Sequence, residues 1–160
     1  KSPGVHQIVV SGMNPFDVLC DSGIGGPGFI VIYQRMGEKE NFDRDWAAYR
    51  EGFGSFDGDF FLGLEKIYRL TKARSHELFV VNGLDIDNSE FSRYNKFKIS
   101  DESNGYALLS LGYFEGTKDL IRTDENMKFS TFDRDNDESM LIRCAERLKF
   151  GWWFGNCNMS

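Results

Sequence analysis

The sequence predicts an α+β fold, because three sections of the chain differ in their hydrophobic pattern. Two segments before His76 have helical signals, and the section that follows alternates apolar and polar residues as strands do. After Gly116 the periodicity fades, while acidic, cysteine and tryptophan residues accumulate. Irregular loops on a rigid sheet often carry binding residues, so we expect the functional residues in this last section.

A short buried strand is the first predicted element. The apolar run 29–33 follows the turn-rich segment 23–28. A helix is predicted next, because the cap-forming residues of 41–45 precede the helical run 46–50. Gly52 and Gly54 follow this run and are expected to end the helix.

A second helix is predicted over 62–70. Leu64, Ile67 and Leu70 would share one of its faces. A partner-binding groove would also need such an apolar stripe, but packing against the core is the more common explanation. We therefore expect this helix to pack on the core.

Three successive antiparallel strands are predicted in the middle of the chain, at 77–81, 93–99 and 106–111. The dipeptides Asn82-Gly83 and Asn104-Gly105 between them are typical of tight turns. The middle of the protein is therefore expected to be an antiparallel sheet.

Composition excludes several classes of function. The chain has 160 residues and a formal charge of −6, and it shows no basic stripe that would neutralise nucleic acid phosphates. No apolar run approaches the roughly 18 residues that indicate a membrane span. Aromatic residues make up 15% of the chain, including 15 Phe beside 17 Gly, which predicts a core of rings connected by tight turns.

The cysteine count is odd. Cys144 and Cys157 are close enough in sequence to form a plausible pair, which leaves Cys20 alone. In a secreted protein, an unpaired cysteine suggests an absent or intermolecular partner, and the alternative is a buried free thiol. Composition does not decide between them.

The strongest chemical signal is a run of alternating carboxylates, Asp133, Asp135 and Asp137. Alternating acids can direct several oxygens at one hard cation, and Ca²⁺ takes roughly six to eight oxygen ligands. An EF-hand is excluded, since Glu138 stands where that loop requires Gly. Both a calcium site and a solvated acidic turn remain open on the residues alone.

Enzymatic functions receive little support. Glycoside hydrolysis needs two carboxyls in contrasting environments, and one exposed acidic loop does not supply them. His6 and His76 lie near no cysteine or Asp-Ser pair, which disfavours a zinc site or a catalytic triad. Trp152 and Trp153 could bind a ligand by stacking or form a local core, and we expect at least one of them to be structural.

Taken together, these segments resemble the fibrinogen-like domain of fibrinogen chains, ficolins, tachylectins, angiopoietins and tenascins. The resemblance covers nearly the whole chain, and its pieces occur in the order of the family. One is the run Gly-Trp-Trp-Phe-Gly-Asn-Cys at 151–157, and another is Phe-Ser-Thr-Phe-Asp-Arg-Asp-Asn-Asp at 129–137. The remaining matches are the segments 26–35, 42–54, 58–67 and 94–103 and the dipeptide Cys144-Ala145.

The resemblance implies one domain with the fibrinogen C-terminal-like fold. That fold has a small N-terminal part, expected at 1–37, and a central twisted antiparallel sheet with short flanking helices, expected at 38–115. An irregular part at 116–160 would carry calcium and ligand, and would be incomplete in this chain.

Calcium ligands are also implied by the family. The implied ligands are the carboxylates of Asp135 and Asp137 and the backbone carbonyls of Ser139 and Leu141. The stretch before Cys144 is one residue longer than in common members. The family disulfide would join Cys144 to Cys157.

The family's ligand pocket maps to Leu148, Asn156, Cys157 and Asn158. The Asn156–Cys157 peptide occupies the position of a cis non-proline bond in members. Acetyl-binding members have Tyr at the position of Leu148 and His at that of Asn158, so two elements of an acetyl pocket are altered. Asn158 also begins an N-glycosylation sequon with Met159 and Ser160.

The ends of the chain depart from the family as well. Members continue beyond the position of Ser160 and carry the disulfide partner of Cys20 in an upstream segment. The resemblance therefore implies a piece truncated or divergent at both ends, with oligomerisation possible through flanking segments.

The function implied is that of a secreted, non-catalytic recognition glycoprotein stabilised by Ca²⁺. The first hypothesis is lectin-like binding of acetylated glycans in innate defence. The alternative is protein–protein recognition in signalling, adhesion or matrix, or a divergent member with no ligand. Nucleic acid and membrane insertion are excluded as modes of binding.

Overall fold

The computed structural model describes residues 3–23, 25–37, 39–83 and 88–157. Its first unit is an antiparallel sheet of β1 (Gly4–Ile8), β2 (Phe16–Asp21) and β3 (Phe29–Val31), in the order β1-β2-β3. The sequence pattern did not predict β1 and β2, in which polar residues interrupt the apolar ones. Tertiary pairing establishes them.

The predicted strand at 29–33 is divided between two sheets. Its first part, β3, pairs with β2, whereas β4 (Tyr33–Gln34) pairs with β6 (Phe60–Phe61) in a small sheet completed by β5 (Phe53–Gly54). Both parts are only half-buried. The apolar run therefore crosses from one sheet to the next, and the prediction of a single buried strand is wrong.

Helix α1 (Trp46–Glu51) begins and ends where the sequence predicts. The Asp45 carboxylate accepts the backbone N–H of Ala48 at 2.9 Å and caps the helix. Gly52 ends it at φ 98°, and a Cβ there would lie 2.2 Å from the Leu62 carbonyl oxygen. Glycine at this position thus permits both the left-handed conformation and the close approach of the next segment.

Helix α2 (Leu64–Ala73) lies two to three residues later than predicted at each end. Leu64 and Ile67 are fully buried, and Leu70 packs partly buried against the same core. Core packing of its apolar face is confirmed.

The central sheet contains the three predicted strands. They are β7 (His76–Asn82), β8 (Glu90–Ile99) and β9 (Leu108–Ser110), and the edge strand β10 (Phe114–Gly116) was not predicted. The order is β10-β8-β7, and β9 pairs with the other end of β8. Gly105 adopts φ 72° at the end of a 3₁₀ turn, Glu102–Asn104, whereas the turn after Gly83 continues outside the described residues.

Aromatic side chains dominate the core, as the composition predicts. Phe129 is 1% exposed and lies at its centre. Its ring centroid is 5.1–6.4 Å from those of Trp46, Tyr49, Phe61 and Trp153. These rings come from α1, β6 and the last section, so one cluster connects the central sheet region to the acidic and disulfide loops.

Candidate functional site: the acidic loop, the disulfide loop and a neighbouring cleft

The Asp137 carboxylate holds the acidic loop to the disulfide loop. Its Oδ1 accepts the N–H of Ser139 and its Oδ2 accepts the N–H of Cys144, each at 2.9 Å. Burial raises the pKa of Asp137, against the lowering effect of the Cys144 N–H, and the adjacent Asp135 carboxyl raises it further. A partly desolvated carboxyl thus lies close to a second carboxyl.

Asp135 is the partner in this pair. Its Oδ1 accepts the Asp137 N–H at 3.3 Å, and its Oδ2 lies 3.9 Å from Nε of Arg143, an exposed and distant cation. Such a pair of oxygen donors suits a hard cation, because a cation would offset the repulsion between the two charges. Ser139 and Leu141 lie on the following loop, where Leu141 is 84% exposed.

Across the described ranges, no group of three or more His, Cys, Asp or Glu side chains gathers as a metal centre. The family-implied set has only two carboxylates and would depend on backbone carbonyls for the rest. The chemistry of the donors fits Ca²⁺, and the assignment of the four ligands stays a prediction.

Asp133, the first acid of the run, has a structural role that the sequence did not indicate. Its Oδ1 accepts the N–H of Trp46, the first residue of α1, at 2.9 Å and the hydroxyl of Thr131 at 2.7 Å. Arg134 places its guanidinium 4.2 Å from the Trp46 ring centroid. The acidic run therefore caps helix α1 from a distance of 87 residues along the chain.

The predicted disulfide is confirmed. Cys144 and Cys157 are bonded, and the bond joins the start of α3 (Cys144–Leu148) to the end of the tryptophan segment. Cys20 is a buried free thiol on β2. No residue within the described part of the chain forms a disulfide with it.

The two tryptophans have different environments. Trp153 is 4% exposed and donates its indole N–H to the Tyr106 carbonyl at 2.8 Å, so the expectation of a structural tryptophan is confirmed. Trp152 is half-buried and donates its indole N–H to Oδ2 of Asp124 at 2.9 Å.

A cleft of about 270 Å³ lies beside the disulfide loop. It brings together three of the predicted ligand-binding residues, Leu148, Asn156 and Cys157. The other residues that line it are Thr123, Asp124, Trp152, Phe154 and Gly155. We name this the Asp124 cleft.

Asp124 is the charged residue among those that line this cleft, and sequence reasoning missed it. Burial raises the pKa of its carboxyl, and the Trp152 N–H acts in the opposite direction. It lies in a 3₁₀ turn, Arg122–Asp124, outside any motif, so only the fold brings it to the cleft.

One predicted pocket residue, Asn158, lies outside the described residues, as does the rest of its sequon. Its roles in ligand binding and glycosylation stay predictions. The Asn156–Cys157 peptide bond is trans, since the described residues include no cis bond, and the expectation of a cis bond here is wrong. A cis non-proline bond costs about 3–4 kcal/mol and needs surroundings that enforce it, whereas Asn156 is exposed.

Within the described ranges, no helix has the length and apolar character that crossing a membrane requires.

The fold and the site define a small α+β domain with a disulfide-closed loop next to a cleft. Residues 1–160 match the family described as the C-terminal globular domain of fibrinogen beta and gamma chains. The chain belongs to this family, so the predicted resemblance is confirmed.

Curated relatives agree with this assignment. Human tenascin-R is 37% identical over 160 residues, which cover 98% of this chain and 12% of tenascin-R. Fibrinogen-like protein A of Apostichopus parvimensis is 36% identical, over 98% of this chain and 56% of that protein. The chain thus spans about half or less of the length of these relatives.

Solved structures confirm the predicted fibrinogen C-terminal-like fold. The fibrinogen-like globe domain of human ANGPTL6 superposes with a TM-score of 0.90 at 34% identity, over 98% of this chain and 69% of that one. A lamprey fibrin D-dimer complexed with the peptide Gly-His-Arg-Pro-amide gives a TM-score of 0.83 at 33% identity, over 97% and 54%.

Proposed function

We propose that this chain is a non-catalytic, extracellular recognition domain that binds a cationic segment of a protein in the Asp124 cleft. One observation carries the proposal: a partly buried carboxylate lines a cleft whose other lining residues are uncharged. A carboxylate in such a place forms stronger charge-assisted hydrogen bonds than one in water. An arginine, a lysine or an α-amino group would complement it.

The Asp124 carboxylate is also oriented for this role. The Trp152 N–H occupies only one lone-pair site of Oδ2, and a carboxylate offers about four such sites. The remaining sites are available to a ligand, while the indole fixes the direction of the group. The ordering cost of binding is therefore small.

The disulfide supports an extracellular location, because disulfides persist in oxidising compartments. A relative of similar fold supports the chemistry of the ligand. The peptide in the lamprey fibrin complex contains an arginine and ends in an amide, so it is cationic. Cationic protein segments are therefore the first class of ligand to test.

Acetylated glycans have less support as ligands. Leu148 presents an apolar, 41% exposed side chain where acetyl-binding members have a tyrosine, and the Trp152 N–H is already bonded to Asp124. Lectin-like binding is therefore the alternative that the binding experiment must distinguish.

We propose further that Asp135 and Asp137 hold Ca²⁺ together with backbone carbonyls of Ser139 and Leu141. The support is the partly desolvated Asp137 carboxyl next to that of Asp135, and the family membership. A bound cation would supply charge neutralisation in the loop. Asp137 itself would connect that loop to the start of α3 through the Cys144 N–H.

The decisive experiment titrates the protein with Gly-His-Arg-Pro-amide by calorimetry. Asp124→Asn keeps an acceptor for the Trp152 N–H but removes the charge, and it should weaken binding by about tenfold or more. Asp17→Asn, which makes the same charge change at an exposed position on β2, should leave the affinity unchanged.

Two outcomes would contradict the proposal. Equal affinity of the parent and Asp124→Asn would remove Asp124 from the recognition site. Calcium-dependent binding of N-acetylglucosamine without any binding of the peptide would replace protein recognition with the lectin-like function.

A further inference from the structure

A second cleft, of the opposite charge, is lined by residues of α3 and its two flanks. It is shallow, measures about 390 Å³, and is lined by Ile142, Arg143, Glu146, Arg147 and Lys149. We name it the cationic cleft. Three cations and one carboxylate line it, in a chain whose formal charge is −6. Positive charge is thus in excess at this cleft, although the chain as a whole is acidic.

The cations of this cleft are at most weakly paired. In the described part of the chain, neither Arg147 nor Lys149 forms an ion pair, and both are exposed. Arg143 is 3.9 Å from Asp135, its side chain 62% exposed, which is a weak contact. Their charges are therefore available to an incoming anion.

An apolar loop lies directly before the cationic cleft in sequence. Met140 is 96% exposed, the highest value among the exposed large hydrophobic side chains of the described residues, and Leu141 is 84% exposed, a value it shares with Tyr113. Two adjacent apolar residues with so little burial contribute nothing to the core. Exposed apolar groups rimmed by charges mark interaction sites.

Hydrogen bonds to the Asp137 side chain hold the loop between Ser139 and Cys144 in place. The Asp137 carboxylate accepts N–H groups from Ser139 and Cys144, at the two ends of the loop, and the Ser139 hydroxyl accepts the Ile142 N–H at 3.3 Å. The backbone on both sides of Met140 and Leu141 is thus tied to one carboxylate. A partner would meet a loop that is already ordered, which reduces the entropy cost of binding.

We propose that Met140, Leu141 and the cationic cleft form a docking surface for an acidic segment of a second protein that carries an apolar side chain. The cations would steer the acidic segment and set its register, and the two apolar residues would supply the desolvated contact. Methionine and arginine are also the residue types enriched at protein interfaces.

Other polyanions fit this surface less well. A sulfated glycan would engage the cations but leave Met140 and Leu141 without an apolar partner. The strongly anionic membrane surface is the cytoplasmic leaflet, whereas the disulfide indicates an oxidising compartment. The combination of charge and apolar surface therefore favours a protein.

The surface is distinct from the Asp124 cleft in residues and in sign. Leu148 lines the Asp124 cleft, while its neighbours Arg147 and Lys149 line the cationic cleft. Helix α3 thus contributes to both clefts, Leu148 to the cleft for a cation, and Glu146 and Arg147 to the cleft for an anion. Failure of one proposal leaves the other intact.

The test titrates the ¹⁵N-labelled protein with a capped peptide, Glu-Glu-Leu-Leu-Glu-Glu, and follows the backbone amides. We expect the largest shifts between Met140 and Lys149. Arg147→Glu with Lys149→Glu should weaken binding by about tenfold or more, because attraction becomes repulsion. Lys96→Glu with Lys98→Glu, at exposed positions of β8, makes the same charge change and should preserve the affinity.

A separate variant tests the contribution of the apolar contact. Met140→Ser should lower the affinity for the peptide. The dependence of that affinity on salt concentration should stay the same, since no charge is removed. Binding that is unaffected by both the charge reversal and Met140→Ser would overturn the proposal. The proposal would also be overturned if the protein bound heparin or phosphatidylserine vesicles but did not bind the peptide.

Discussion

At the residue scale, three aspartates two positions apart have three different environments. Asp133 caps α1 by accepting the Trp46 N–H, and Asp137 accepts hydrogen bonds from two backbone amides. Asp135 is partly exposed, and its only charged neighbour among the described ion pairs is Arg143 at 3.9 Å. The alternating pattern indicates only that the oxygens can converge. The hydrogen-bond partners decide which carboxylates remain available to a cation.

The role of Asp133 gives a stability prediction. Asp133→Ala leaves the Trp46 N–H without its acceptor and should lower the free energy of unfolding by about 1–3 kcal/mol. Asp45→Ala, which removes the other cap of the same helix, should cost about 1 kcal/mol. Urea denaturation measures both.

Asp17→Ala serves as the control for this series, since its position on β2 is exposed. If Asp133→Ala is no less stable than this control, Asp133 does not hold α1. Any stabilisation of the protein by Ca²⁺ should persist in Asp133→Ala, because this carboxylate is not among the proposed ligands.

The raised pKa of Asp124 makes ligand binding depend on pH. A cation favours the ionised carboxylate, so affinity is full above the pKa of Asp124 and is lost as the pH falls through it. Because burial raises this pKa, the loss should begin at a higher pH than for an ordinary aspartate of pKa about 3.9. Calorimetry with Gly-Ala-Arg-Pro-amide avoids the titration of a peptide histidine.

Asp124→Asn is the control here as well. Its weaker affinity should be independent of pH over the same range. A parallel pH dependence in parent and variant would assign the titration to another group.

At the scale of elements, the loop between Asp137 and Cys144 and the helix α3 form one unit. The disulfide closes the unit at Cys157, and Phe150 and Phe154 pack their rings 5.2 Å apart within it. This unit contributes residues to both clefts. Its order therefore controls both proposed binding surfaces.

Calcium should stabilise this unit. The melting temperature of the parent should rise by roughly 5–10 °C at a calcium concentration about a hundredfold above Kd, compared with chelator. Asp135→Asn should abolish the rise, because it removes a charge but keeps an acceptor for the Asp137 N–H. Differential scanning calorimetry measures the shift.

Asp135→Asn is a sharper test than a change at Asp137, whose carboxylate also bonds Ser139 and Cys144. Asp17→Asn should retain the full calcium shift. An identical melting curve of the parent with calcium and with chelator would refute the site.

The sequence predicted some helices and strands and missed others. Helix α1 has its cap at Asp45 and its end at Gly52, both local signals, and its bounds were predicted. Helix α3 has five residues and no side-chain cap at Arg143, and it was not predicted. Strands β1 and β2 were also missed, because their pairing and burial depend on each other and on β3.

At the scale of the whole molecule, one ring cluster connects the parts of the chain. Phe129 contacts rings from α1, from β6 and from the tryptophan segment. The division into three parts at 37 and 115 stays a prediction. The shared core nevertheless couples the acidic loop to the sheets.

Removal of the central ring should destabilise the entire fold. Phe129→Ala should cost about 3–5 kcal/mol, which lowers the melting temperature by roughly 10 °C. Phe132→Ala, three residues away and 40% exposed in the parent, should cost less than about 1 kcal/mol. Equal losses in thermal or urea unfolding would contradict the central role of Phe129.

The site was partly predictable for the same physical reason. Leu148, Asn156 and Cys157 converge because a disulfide closes a short loop, which the sequence indicates locally. Asp124 reaches the same cleft through its contact with Trp152, 28 residues away, and no local signal marks it. The charge of the cleft therefore could not be derived from the motif.

Short-range interactions and motif order were sufficient to determine the family, helix α1 and the disulfide, because caps, turns and a closed loop depend on residues that are near in sequence. The tertiary structure decided which acids are partly buried, that the unpaired Cys20 lies in the core, and which charge each cleft carries. Burial and electrostatic environment arise from contacts between distant segments. Those contacts form only when the chain folds, so a pattern of residue types does not reveal them.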